Sequence, residues 1–139
     1  MSSRATGHVE VAGVDVATDH FIGGERVTSA ETFVDLSPID AEPIAEVARG
    51  GEREAELAVA AATEAFPGWA GLGPDGRAAH LHRLADLIDA NVERLAAVEC
   101  ADMAMLLRSL RARVIARGAR NFRAYADLAV AYEQLIAAA

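Results

Sequence analysis

Between Leu81 and Val98 the apolar residues Leu81, Leu84, Ile88, Leu95 and Val98 recur at three- and four-residue steps, or a multiple of them. That spacing lines one face of a helix and fits no strand, whose side chains alternate every second residue. The middle of the chain is therefore a long amphipathic helix, and Pro74, which lacks the amide hydrogen that a first turn leaves unused anyway, opens it. Such a helix must bury its apolar stripe against another element, and 139 residues give room for one core. The composition is 53% hydrophobic but only 5% aromatic, so that core is built mostly from Ala, Leu and Val.

Upstream of residue 50 the pattern is that of short strands. Residues 1–18 hold Val9, Val11, Val14 and Val16 in weak alternation, but Gly7 and Gly13 interrupt them, and the segment reads as a flexible tail. His20-Phe21-Ile22 and Glu25-Arg26-Val27 flank Gly23-Gly24, the signature of a hairpin with a two-residue turn. A second hairpin joins Thr32–Leu36 to Ile44–Ala48 across a stretch rich in turn formers that includes Pro38, Asp40 and Pro43. After Gly50-Gly51 the chain turns helical. Glu52 to Phe66 has an acidic first turn, places Leu57, Ala61 and Ala65 on one stripe, and is expected to end at Pro67-Gly68, with Trp69 in the loop that follows. A third helix over about 103–128 sets Leu107, Leu110, Val114, Phe122, Tyr125 and Leu128 against an opposite face of Arg113, Arg117, Arg120 and Arg123, with Gly118 as a weak point. The fold class is α+β: N-terminal β-hairpins followed by three amphipathic helices.

Charge and composition narrow the chemistry. A net charge of -8 opposes a general role on nucleic acid or an anionic membrane. All 13 basic residues are Arg, so Schiff-base and P-loop lysine chemistry are excluded for these residues. The single cysteine rules out an internal disulfide and a four-cysteine zinc site, which suits a reducing cytosol, and no apolar run is long enough to span a bilayer. A cytoplasmic protein is expected.

Four patterns invite a functional assignment. Gly71, Gly73 and Gly76 match the spacing of a dinucleotide-binding glycine fingerprint, but that fingerprint works where a strand delivers the chain to a helix N-terminus, and here a helix precedes it while Pro74 removes one donor amide. A plain helix-to-helix connector accounts for it better. His80 and His82, two residues apart on a helix, point about 200° apart and cannot share one metal ion. They read as a solvated face. Cys100 sits near the end of the second helix, where a lone cysteine behaves as a small apolar residue, and its acidic neighbours Glu99 and Asp102 are the reverse of the cationic setting a reactive thiol needs. The Arg113, Arg117 and Arg120 stripe could grip phosphates, yet no aromatic residues interleave it as a stacking platform, so a solvated face is again the simpler account. None of these assigns a catalytic, cofactor-binding or metal-binding residue.

Taken in order, several segments resemble the N-terminal part of the aldehyde dehydrogenase superfamily over about Asp19 to Ala129. His20-Phe21-Ile22-Gly23-Gly24-Glu25-Arg26-Val27 is similar to its opening strand and turn, and Glu31-Thr32-Phe33, Ser37-Pro38 and Pro43-Ile44-Ala45-Glu46-Val47 to its next hairpin. Ala58-Val59-Ala60-Ala61-Ala62 with Phe66, Pro67, Trp69 and Ala70 resembles the first helix and its exit. Arg77, Leu84-Ala85-Asp86-Leu87-Ile88 and Leu95-Ala96-Ala97-Val98-Glu99 resemble the second helix, and Asn121-Phe122-Arg123-Ala124-Tyr125-Ala126 the third. The semialdehyde dehydrogenases of aromatic catabolism look like the nearest branch. Where the family usually ends its second helix with an Asp-Thr-Gly-Lys-Pro-like break, this chain has Asp102-Met103-Ala104-Met105-Leu106, so the second and third helices are expected to merge or to meet at another angle. Ala41 likewise stands where a turn glycine is usual, and residues 130–139 read as an Ala-rich helical tail outside the resemblance.

The resemblance implies, for an intact member, NAD(P)-dependent oxidation of an aldehyde to a carboxylic acid through a cysteine thiolate, with an Asn amide on the oxyanion and a Glu activating water. It places those residues and the cofactor loop beyond the length available here, and it does not put Cys100 at the nucleophile's position. The expectation is therefore an incomplete part of an aldehyde dehydrogenase cofactor-binding domain, truncated, with no catalytic, cofactor or metal residues of its own and no cofactor for this chain alone. The alternative is a non-catalytic interaction module that uses exposed apolar helix faces to bind itself or a full-length homologue. A phosphate-binding or nucleic-acid-binding helical protein is the third possibility.

Overall fold

The computed structural model describes residues 7–137, apart from the side chains of Gln134 and Ala137. These residues fall into two compact units, one of residues up to 65 together with Ala97–Met105, the other of Phe66–Ala96 together with residues from Leu106 onward.

The first unit holds three two-stranded antiparallel sheets: β1 (His8–Val11) with β2 (Val14–Ala17), β3 (His20–Ile22) with β4 (Glu25–Val27), and β5 (Thr32–Leu36) with β6 (Pro43–Ala48). The two expected hairpins are present, and β1–β2 corrects the flexible tail, since the strands lie within residues 1–18. Ala12 at φ 51° and Gly13 at φ 77° make the two-residue turn, and Val9 pairs with Val16 and Val11 with Val14. Gly13, taken as an interruption, is the turn. Residues 1–6 of that segment lie outside the described residues. Gly23 and Gly24 adopt φ 62° and 88°, as a tight hairpin demands, and a Cβ on Gly23 would come 3.6 Å from the Ala61 Cβ. The amide of Ala48 donates to the Thr18 carbonyl at 3.0 Å and that of Arg49 to the Glu31 carbonyl at 2.9 Å, which ties β6 to the chain on either side; Val11 and Ala48 are the buried residues among the strands.

Helix α1 (Glu52–Gly71) begins where Gly51 donates its amide to the Glu54 carboxylate at 2.9 Å, the reciprocal half of a capping box. It does not stop at Pro67 as expected. The helix runs on to Gly71, because proline removes one amide donor without forbidding the helical backbone on either side. The loop expected around Trp69 shrinks to Leu72. Helix α2 (Gly73–Ala90) starts with Gly73 at φ 65° and Pro74, and the single expected second helix is divided at Asn91 from α3 (Val92–Met103). The third expected helix is also divided: after Ala104-Met105-Leu106 come a short turn, α4 (Leu107–Ser109), a π-helical stretch over Leu110–Ile115, and α5 (Ala116–Ala137). The break after α3 survives without glycine or proline because Ala104 itself takes the left-handed conformation at φ 52°. Merging of the two helices is thereby ruled out, and α5 extends unbroken past residue 129, so the Ala-rich tail is part of it as far as Ala137.

An L-residue held left-handed costs about 1–2 kcal/mol, partly offset by the greater chain entropy that glycine loses on folding. Ala104→Gly, and likewise Ala41→Gly at φ 60°, are expected to raise stability by about 0.5–1 kcal/mol each, read as a higher urea midpoint at unchanged slope.

Two surface carboxyls are held below their ordinary range, Asp40 first by the Ser37 hydroxyl and then by the Glu42 amide, Glu54 first by the Gly51 amide. A carboxyl that titrates lower when folded stabilises fully above about pH 5, and the contribution disappears as the pH falls through the folded value. Amide exchange at the start of α1 should therefore accelerate below about pH 4, and Glu54→Gln should abolish that pH dependence.

Candidate functional site

The second unit is organised by α2 against α5, and side chains of the two helices pair across the contact. Ala78 and Ala85 of α2 and Ala119 and Ala126 of α5 are buried, each pair seven residues apart, so both helices present a stripe of small residues to this unit's interior. The charged residues run antiparallel. Arg77 reaches Glu133 at 3.3 Å, His82 Nε2 meets Asp127 Oδ1 at 2.8 Å, and Arg123 forks between Asp86 at 2.6 Å and Asp89 at 2.8 Å. The hydrogen bonds that Arg123 donates, to Asp86 first and to Asp89 second, hold its guanidinium above its ordinary range. A pair of charge-assisted bonds to two carboxylates one turn apart fixes the orientation of Arg123 better than a lysine could.

Beside this ladder an open cleft of about 450 Å³ is lined by Asp75, Ala78, Ala79, His82, Asp127, Val130 and Ala131. Its polar groups are a histidine paired to a carboxylate and a second carboxylate. That set can pass a proton, but it offers no thiol, hydroxyl or amine to attack a substrate, and Asp127 is largely exposed.

The residues singled out from the sequence are dispersed. His80 packs its ring 5.8 Å from that of Trp69 while His82 goes to Asp127, so the two histidines diverge as helix geometry requires, and His82 has a partner where only a solvated face was expected. Among the described residues no three His, Cys, Asp or Glu side chains come together as a metal site. Cys100 is half-buried on α3. Arg113, Arg117 and Arg120 are exposed, but Arg123 belongs to the opposite, packed side. The π-helical stretch ends at Ile115, before Arg117, Arg120 and Arg123, and these three separate by ordinary helix geometry, with Arg123 about 120° around α5 from Arg117. Leu110 is fully buried before the stretch and Ala119 and Ala126 after it, whereas Phe122, Tyr125 and Leu128, expected inside with Leu110, are exposed.

The glycine pattern fits a nicotinamide cofactor no better in three dimensions. Gly71, Gly73 and Gly76 lie at the α1–α2 junction with no strand before them, and a Cβ on Gly76 would strike the Leu72 side chain at 2.9 Å. Gly76 makes room for Leu72, not for a pyrophosphate. Arg77 Nη1 donates to the Ala70 carbonyl at 3.3 Å, so the C-terminal end of α1 is closed from α2. These residues do not form a dinucleotide cradle.

The ancestry is clear from comparison with known proteins. The profile of the Aldehyde dehydrogenase family matches residues 26–138 and so extends past Ala129, where the resemblance read from the residues stops. A 5-carboxymethyl-2-hydroxymuconate semialdehyde dehydrogenase of Escherichia coli is 41% identical over 110 residues, 79% of this chain and 24% of that protein. The crystal structure of HpcC from Thermus thermophilus superposes with a TM-score of 0.76 at 39% identity, covering 85% of this chain and 26% of that one. That of PnpE in complex with nicotinamide adenine dinucleotide gives 0.77 at 32% identity, covering 80% and 23%. The chain thus spans about a quarter of the length of the relatives it matches. With hairpins, helices and order all in register, the chain belongs to the aldehyde dehydrogenase family.

Proposed function

We propose that these residues form the N-terminal hairpin-and-helix portion of an NAD(P)-dependent aldehyde dehydrogenase of the semialdehyde-oxidising kind, and that alone they carry no turnover. The observation that supports this most is the 41% identity to a semialdehyde dehydrogenase over a stretch amounting to 24% of that protein. Within it neither the α2–α5 cleft nor the α1–α2 glycines present a nucleophile or a pyrophosphate site. Their role in this proposal is scaffold: the paired helices give a rigid surface on which a catalytic domain is built. The lone cysteine suits work in a reducing, cytoplasmic setting. Among the described residues no helix is long and apolar enough to cross a membrane.

The test is an assay of the purified 139-residue chain with a carboxylated aliphatic aldehyde and NAD or NADP, following absorbance at 340 nm as reduced nicotinamide forms. No rate above the enzyme-free blank is expected, and steady reduction free of contaminating enzyme would overturn the proposal. A chimaera tests the scaffold role directly. Residues 26–129 placed into the Escherichia coli relative should leave its aldehyde oxidation within about tenfold, and complete loss in a folded chimaera would count against it.

A further inference from the structure

The π-helical stretch Leu110–Ile115 lies between two sets of fixed contacts. At its start Leu110 is fully buried and Arg111 pairs with Glu93 of α3; beyond its end Ala119 and Ala126 are fully buried and Arg123 is held by Asp86 and Asp89 of α2. Ala119 comes nine positions after Leu110, and at about 100° per residue an α-helix would turn the two to opposite sides, about 180° apart. Winding bonded to the fifth residue turns only about 80° per residue, so five π-helical steps followed by four α-helical ones bring Leu110 to about 90° from Ala119. Eight α-helical steps would give about 80°, nearly the same direction. We propose that the stretch is a slip joint: it holds one residue more than an α-helix needs to join the same anchors, and the π winding stores that residue without moving either end.

Burial points to the surplus position. Leu110 is buried and Val114 and Ile115 are half-buried, whereas Ala112 and Arg113 are exposed side by side, and Ala112 has no charge or polar group to place. It also falls between the anchored ends, so its removal leaves Leu110 and Arg111 on one side of the joint, and the residues from Ala116 onward on the other, in their present directions. A regular helix has no such outlet. Between Ala119 and Ala126, where the winding is α-helical, one residue less turns one end by about 100° against the other and separates either Arg123 from Asp86 and Asp89 or His82 from Asp127. The joint thus lets the two ends be fitted independently, Leu110 into the core and α5 onto the α2 ladder, at a spacing that no straight α-helix would satisfy. The π form is rare, and contacts at both ends hold it here.

The joint is a property of the backbone and is independent of turnover, so the assay of the preceding section leaves it untouched. Urea unfolding of the purified chain, followed by far-ultraviolet dichroism, should place the midpoint of the variant lacking Ala112 within about 0.5 M of the parent's. Deletion of Ala124, in the regular part of α5, should lower the midpoint by at least about 1 M or leave no folded state. A second comparison reads the anchor itself. Leu110→Ala should lower the midpoint by the same amount, within about 0.3 M, in the parent and in the chain lacking Ala112, because Leu110 stays in the core of both. Two deletions of equal effect, whether both unfold the chain or neither does, would overturn the proposal. So would a Leu110→Ala change that is silent in the shortened chain, since the deletion would then have turned Leu110 out of the core.

Discussion

Leu110→Ala is expected to cost about 2–5 kcal/mol, the largest loss from any single substitution in this chain. Leu110 is the only large side chain among the described residues that is fully buried, in a protein whose other buried residues are mostly alanines. Removing its methyl groups loses their transfer free energy and leaves a cavity that the surrounding backbone, wound into a π-helical stretch, is poorly placed to fill. Against a typical total of about 5–15 kcal/mol such a loss leaves a substantial unfolded population. Chemical denaturation measures it directly. Leu110→Met, which keeps the volume, should cost less than about 1.5 kcal/mol, and a loss that small for Leu110→Ala would show that the site collapses freely.

The opposite change is expected to be nearly as damaging where α2 meets α5. Ala85 and Ala126 are fully buried on the facing stripes of the two helices. A leucine at either position forces the helices apart or takes a strained rotamer, at about 1–3 kcal/mol. Separation would also lengthen the Arg123 bonds to Asp86 and Asp89, which stand at 2.6 and 2.8 Å. Ala124→Leu provides the control, since Ala124 is exposed on the same helix and points about 200° away from Ala126. It should change stability by no more than about 0.5 kcal/mol. Comparable urea midpoints for Ala126→Leu and Ala124→Leu would refute close packing at the α2–α5 contact.

The legible parts of this fold were those written in local chemistry. Gly23-Gly24 gave a hairpin, the turn formers from Ser37 to Pro43 gave another, and the spacing of Leu81, Leu84 and Ile88 gave a helix, each through rules that act within a few residues. The errors arose where backbone geometry departs from the regular period. Ala12 and Ala104 take left-handed conformations that their residue type does not advertise, so a hairpin and a helix stop went unseen. Within α5 the large apolar residues, the usual mark of an inner face, lie outside and small alanines lie within, an arrangement that residue type alone does not signal. An alanine spacing of seven, at Ala78 and Ala85 and again at Ala119 and Ala126, was the available signal for a close helix pair. The His82–Asp127 pair, 45 positions apart in sequence, depends on how two helices dock and was beyond any local pattern.

The ladder between α2 and α5 has a further consequence when the helices are imagined to slip. Moving α5 by one turn in one direction brings Asp127 level with Asp86, two like charges face to face; moving it a turn the other way sets Arg123 beside His82 and strands Asp86 and Asp89. The alanine stripes alone would tolerate a slip of two turns, since the buried alanines repeat every seven residues. The charges act as a vernier scale on that surface: they add little binding strength at the solvent edge, yet they leave one alignment in which all three rungs are satisfied together.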